Sequence, residues 1–258
     1  MNRSAPHWRA TYRGCLVVAA SLVVAPATRA QGTGDGFLFR RPGGSIRVWT
    51  GYDRAIANGP IFQFVTDTFT LTRSSFGAFA VGADLAVRVA PRAELVLSAG
   101  WAGSKAGSEY RHWTGSDSLP INQTTSLERV PLTVNVKWYL TAPGESIGRF
   151  AWVPARIAPF VGAGGGLMWY RFQQYGDFVN FTDSTVVNDA FASEAWTGSL
   201  DAFAGVDVAV GPRYVLTARA QYTWARSHLG ADFVGPNGEV EAVNLSGLSL
   251  TAGVGVRF

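Results

Sequence analysis

Histidine is the first residue type to weigh for chemistry, because its imidazole titrates near neutral pH and serves as a general base. His7 belongs to an N-terminal stretch treated below. His112 and His228 remain, lying near Ser116 and Ser227, and Glu239 and Glu241 follow His228. Serine, base and orienting carboxylate are the parts of an acyl-transfer site. Here they fall in irregular polar stretches that hold nothing at hydrogen-bond distance, so solvated loop side chains are the better reading. Asp177, Asp183 and Asp189 are six residues apart in another such stretch, a spacing that preorganises no metal site. Gly162-Ala163-Gly164-Gly165-Gly166 lacks the Lys-Ser/Thr of a phosphate loop and sits within a strand pattern, where bare backbone admits neighbouring side chains. The sequence therefore predicts no catalytic residue, no cofactor and no metal.

A second set of chemically active residues is regular. Arg47, Asp84, Arg88, Glu94, Lys137, Asp201, Asp207, Arg219 and Arg257 all occupy the polar side of a two-residue alternation. Successive strand side chains point to opposite faces, so such alternation describes strands with one apolar and one polar face. Eight runs show it: 46–52, 79–89, 95–101, 130–140, 161–169, 200–210, 214–224 and 248–258. The connections 90–92 and 211–212 are tight, whereas 53–75, 105–125, 173–194 and 226–243 are long and polar. The segment 141–156 is the exception, long where a short turn is expected.

The first thirty residues stand apart. Arg3, Arg9 and Arg13 precede an apolar run, 16–24, and small residues then lead to Ala30. Basic region, short apolar core and small-residue exit describe a secretory signal peptide over 1–30, with cleavage after Ala30 or Ala27. Four of the 22 Lys+Arg and none of the 18 Asp+Glu lie there, so its removal leaves a formal charge of zero. The basic balance belongs to export and gives no support to nucleic-acid binding. Cys15, the only cysteine, also leaves, which excludes disulfides and thiol chemistry from the exported part.

Alternation also fits a soluble barrel or sandwich. The composition of the two faces decides between them. The polar faces are crowded with Gly, Ala, Ser and Thr around isolated charges, as a narrow interior requires. The apolar faces end in Tyr52, Trp101, Trp138, Trp169, Tyr214, Trp224 and Phe258, as interfacial girdles do. The expected fold is all-β: an antiparallel up-and-down transmembrane β-barrel of eight strands over 45–258, preceded by an N-terminal periplasmic segment over 31–44. The nine charges form a network inside it, five cations against four anions. The loop aromatics Tyr110, Trp113, Tyr175, Phe178, Phe181, Phe191 and Phe233 either bind partners or pack on one another.

Thr251-x-Gly253-x-x-Val256-x-Phe258 resembles the C-terminal signal read by the outer-membrane assembly machinery. Together with 129–140 (RVPLTVNVKWYL) and 158–170 (APFVGAGGGLMWY), it makes the chain similar to the small eight-stranded outer-membrane superfamily, which includes the OmpA membrane domain, OmpX and OmpW-like proteins. The resemblance implies a monomer in a bacterial outer membrane, with membrane lipid and lipopolysaccharide around it and with periplasmic chaperones and the assembly machinery as partners. It also implies a structural role in envelope integrity or a surface-interaction role, with passive passage of small or hydrophobic molecules as the alternative. Lipid-modifying hydrolases on similar barrels carry a His-x-Ser spacing on a strand; here Leu229 and Gly230 follow His228.

Overall fold

The computed structural model describes residues 36–115, 118–179, 185–230, 233 and 242–258. The expected signal peptide lies outside them, as do Ser116, Phe181, Asp183, Glu239 and Glu241. The described elements are β1 (Gly44–Ala55), α1 (Pro60–Thr68), a 3-10 turn (Arg73–Phe76), β2 (Gly77–Ala90), β3 (Ala93–Thr114), β4 (Pro120–Tyr139), β5 (Gly144–Ile147), β6 (Ala151–Pro154), β7 (Ile157–Val179), β8 (Val186–Ala209), β9 (Tyr214–His228), β10 (Ala242–Asn244) and β11 (Gly247–Arg257).

All eight expected strands are present. β1, β2, β3, β4, β7, β8, β9 and β11 each pair antiparallel with the next, and β11 returns to β1 with Arg257 opposite Ser45. The ring is closed, so its backbone groups find partners within it; this is the condition for a sheet to cross a bilayer.

The outside of this ring is apolar. Val134 and Val136 are about half exposed, at 49% and 50%, while Asn135 and Lys137 beside them are 3% and 1% exposed. Val48, Leu97, Leu200, Leu216 and Leu250 are exposed in the same way. Such a continuous apolar surface is far beyond what water tolerates on a monomer. Tyr214 and Trp224 mark its ends on β9. Their ten-residue separation is about 34 Å along the strand and about 26 Å along the axis at a ~40° tilt. Tyr52, Trp138 and Phe258 are also exposed at strand ends or near them, Trp101 is exposed within the longer β3, and Trp169 is half-buried opposite Trp196.

The structure corrects three boundaries. Segments 105–125 and 173–194, read as loops, are largely extensions of β3, β4, β7 and β8. Their outer faces meet water and many inner positions are Ser, Gln or Thr, so the hydropathy contrast that reveals a strand is lost. The long connection 141–156 is the hairpin β5–β6, and Leu38 exchanges two backbone hydrogen bonds with Trp152, 2.8 and 2.7 Å. Residues 36–43 therefore lie along the same rim as this hairpin. Finally, 53–75 contains α1, whose Ile61, Phe62 and Val65 form one buried face behind a helix-starting Pro60.

Helix α1 covers an apolar cluster in the half of the barrel away from the β5–β6 hairpin. Phe62 packs edge-on against Phe76 and Phe172, with centroids 4.9 and 6.0 Å apart. Phe62→Ala is expected to cost roughly 3–5 kcal/mol, the usual range for a buried phenylalanine. Proteolysis within 56–76 should accelerate in the variant while the membrane band stays protected. Equal cleavage rates would refute the anchoring role.

Candidate functional site

The interior of the barrel concentrates the polar chemistry, and it is filled rather than open. Alternation turns every second side chain inward, and the glycines make room for the large ones. A Cβ on Gly162 would lie 2.2 Å from the Phe203 ring, and one on Gly82 would lie 2.2 Å from the Trp49 ring.

The floor of the lumen is a charge cluster. Lys137 Nζ donates to Asp207 at 2.6 Å, and Tyr139 and Thr217 hydroxyls donate to the same carboxylate, each at 2.7 Å. Arg47 lies 3.6 Å from both Glu94 and Asp207, and Arg88 lies 3.4 Å from Glu94. Lys137 also faces the Phe160 ring, 3.9 Å from its centroid. Trp152, from β6, is fully buried at the mouth below, with the Arg88 and Arg257 guanidinium carbons 6.0 and 5.7 Å from its centroid.

Above the floor, Asp84 accepts from Trp49 Nε1 at 2.9 Å, Ser98 at 2.7 Å and Arg219 at 3.3 Å. A void of about 10 Å³ borders Arg47, Trp49 and Arg219, room for about one water. Asp201 is buried and accepts from Thr223 at 2.6 Å, but forms no ion pair among the described residues. Higher still, Arg129 pairs with Asp53 and donates to the Leu245 carbonyl at 3.1 Å.

Eight of the nine expected lumen charges are buried and Arg88 is partly so; among the described residues Asp201 and Arg257 form no ion pair, and Arg257 faces an aromatic ring. Sequence reasoning missed Arg129, Asp53, Tyr139, Trp49 and Trp152 as members. Asp53 and Trp152 were hidden by their assignment to loops. It also took the lumen as polar throughout, whereas the half capped by α1 is apolar: Leu127, Met168, Tyr170, Phe172 and Leu245 are buried with the face of α1.

Among the described residues, those considered for catalysis are not brought together. Ser227 and His228 are neighbours on β9, so their side chains point to opposite faces. The His228 carbonyl accepts from the Tyr170 hydroxyl at 2.8 Å. His112 is exposed on β3. Asp177 accepts from Asn188 at 2.8 Å, and Asp189 from the Ala190 amide at 2.8 Å. No group of three potential metal ligands forms among the described residues.

Three of the loop aromatics, Phe178, Phe191 and Phe233, pack on one another, whereas Tyr175 faces Lys105. Phe178 meets Phe191 at 4.9 Å, Phe191 meets Phe233 at 6.3 Å, and Phe233 meets Phe172 at 5.4 Å. Tyr110 stacks edge-on with Phe69 at 4.7 Å and accepts from the Val179 amide at 3.2 Å. Burial pushes its phenol up, so it stays neutral at physiological pH.

Closed ring, apolar belt, aromatic ends and packed polar interior define the class: a small membrane-spanning β-barrel of the outer-membrane type. No protein-family model matches the chain, and no curated protein does. Among solved structures it is similar to neisserial surface protein A, at 15% identity over 84% of this chain and 97% of that one, with a TM-score of 0.44. It is also similar to the outer membrane protein OprG of Pseudomonas aeruginosa (12%, 86% and 99%, 0.48). A third is Ail, the attachment invasion locus protein of Yersinia pestis (12%, 83% and 99%, 0.41).

Proposed function

We propose that this chain is a monomeric integral protein of a bacterial outer membrane, closed to solute passage. In this reading it acts as a rigid anchor serving envelope integrity and surface interaction. The observation that carries the proposal is the double closure of the lumen. An ion-paired floor stoppered by Trp152 lies at one end, and an apolar cluster capped by α1 at the other. Neither layer opens without breaking buried contacts.

The surface-interaction half rests on the extended strands. β3, β4, β7 and β8 run 20 to 24 residues each, well beyond the ~9–11 that a bilayer crossing takes. On this extension a hollow of about 390 Å³ is bordered by Thr70, Glu109, Asn122, Thr124 and Tyr175. One aromatic wall among hydrogen-bonding groups suits a polar ligand. Membrane lipid and lipopolysaccharide surround the belt in this reading. The terminal strand, with Thr251, Gly253, Val256 and Phe258, is what chaperones and the assembly machinery deliver and recognise.

Purified protein in planar bilayers tests the closed state. The expected result is a quiet membrane; reproducible single-channel steps would overturn it in favour of a narrow pore.

A further inference from the structure

The floor of the lumen holds more positive than negative charge. Arg47, Arg88, Lys137 and Arg257 stand together against two carboxylates, Glu94 and Asp207. Arg47, Arg88 and Lys137 all reach Glu94, within 3.6, 3.4 and 3.9 Å. Arg88 joins Arg257 through their shared neighbour, the Trp152 ring. The next carboxylate up, Asp84, is already engaged by Arg219, Trp49 and Ser98.

Hydrogen bonding shows the same deficit. Nε and Nη2 of Arg47, Nη1 of Arg88 and Nη1 of Arg257 are enclosed and make no hydrogen bond among the described residues, although Nη2 of Arg47 stands 3.6 Å from Glu94. A buried guanidinium N–H without an acceptor is costly, and a buried charge without a counter-charge more so. Trp152 offsets part of this through its ring face. A neutral ring supplies no acceptor lone pair in the guanidinium plane, however, and no charge.

We propose that the floor of the lumen binds one small monovalent inorganic anion, chloride-like in size and charge, between Arg47, Arg88 and Arg257 and behind Trp152. The orphan donors of these three arginines are its ligands. The fully buried indole closes the mouth, which favours a small ion over an organic anion. This proposal rests on the packed lumen and not on the surface-interaction role, so the two fail separately.

Bromide is the probe. Crystals of the full barrel grown with bromide as the sole halide should show an anomalous peak in contact with at least two of the three arginines. Arg88→Gln combined with Arg257→Gln should abolish it. In solution, the wild-type unfolding midpoint should be higher in chloride than in gluconate at equal ionic strength, and the double variant should lose that difference. No anomalous peak at the floor of the wild-type barrel, or equal midpoints in the two salts, overturns the site. The wild-type measurements decide the matter even if the double variant does not fold.

Discussion

Asp207→Ala should lower the unfolding free energy by roughly 3–5 kcal/mol, the cost of stripping one partner from a buried ionic cluster. Asp207 receives Lys137, Tyr139 and Thr217 directly and lies 3.6 Å from Arg47. Its removal leaves two buried cations sharing Glu94, which already serves Arg88. Urea titration of lipid-reconstituted protein, followed by tryptophan fluorescence and by the mobility of unboiled samples on a denaturing gel, reads the loss. Asp201→Asn is the contrast. Among the described residues Asp201 accepts one hydroxyl and forms no ion pair, so the variant should lose much less. Equal losses at the two positions would mean that the floor is hydrated and that its pairs are worth no more than surface ones, about 0–1 kcal/mol.

Val134→Arg should destabilise the barrel by about 2–4 kcal/mol, because Val134 lies midway along the lipid-facing band of β4 and a cation there must leave water. The same substitution at an equally exposed site outside the band, Ala190→Arg on the extension of β8, should stay within about 0.5 kcal/mol. The comparison isolates the solvent around each position, since neither substitution removes a buried contact. If both variants were equally stable in lipid, Val134 would face water and the apolar belt would not be a membrane surface.

The two substitutions also separate what was legible in the residues from what was not. Val134 is assigned to lipid by its place in a run where valine and leucine alternate with Thr133, Asn135 and Lys137, a local property that needs no knowledge of neighbouring strands. Asp207 is equally legible as inward-facing, but its partners are not. Lys137 is 70 residues away on a strand separated from that of Asp207 by β7, and they meet only across the curved interior of the sheet. Register alone would mislead: Arg47 sits directly opposite Asp84, yet Asp84 takes its guanidinium from Arg219, 135 residues on, while Arg47 leans toward Glu94 and Asp207.

The strand extensions and α1 were hidden for a different reason. Lipid forces the outer face of a spanning strand to be apolar, and that contrast is what makes the strand visible. Above the membrane both faces carry polar residues, and Lys105, Ser108, Gln123 and Thr124 read as loop although the paired strands continue through them. Helix α1 spans nine residues, too few for its apolar spacing to stand out in a polar stretch; its buried face is explained by the cluster it meets, Phe76 and Phe172 among it.

The amino-acid order by itself determined the strand count, the sidedness of each strand and the identity of most interior charges, because a two-residue period and a nonpolar solvent act on each strand independently. Only the tertiary structure decided which charge meets which, that Trp152 and α1 close the two ends, and that the upper interior is apolar. Those outcomes depend on ring closure and on side chains meeting across a space about as wide as themselves, and neither is a property of any one segment.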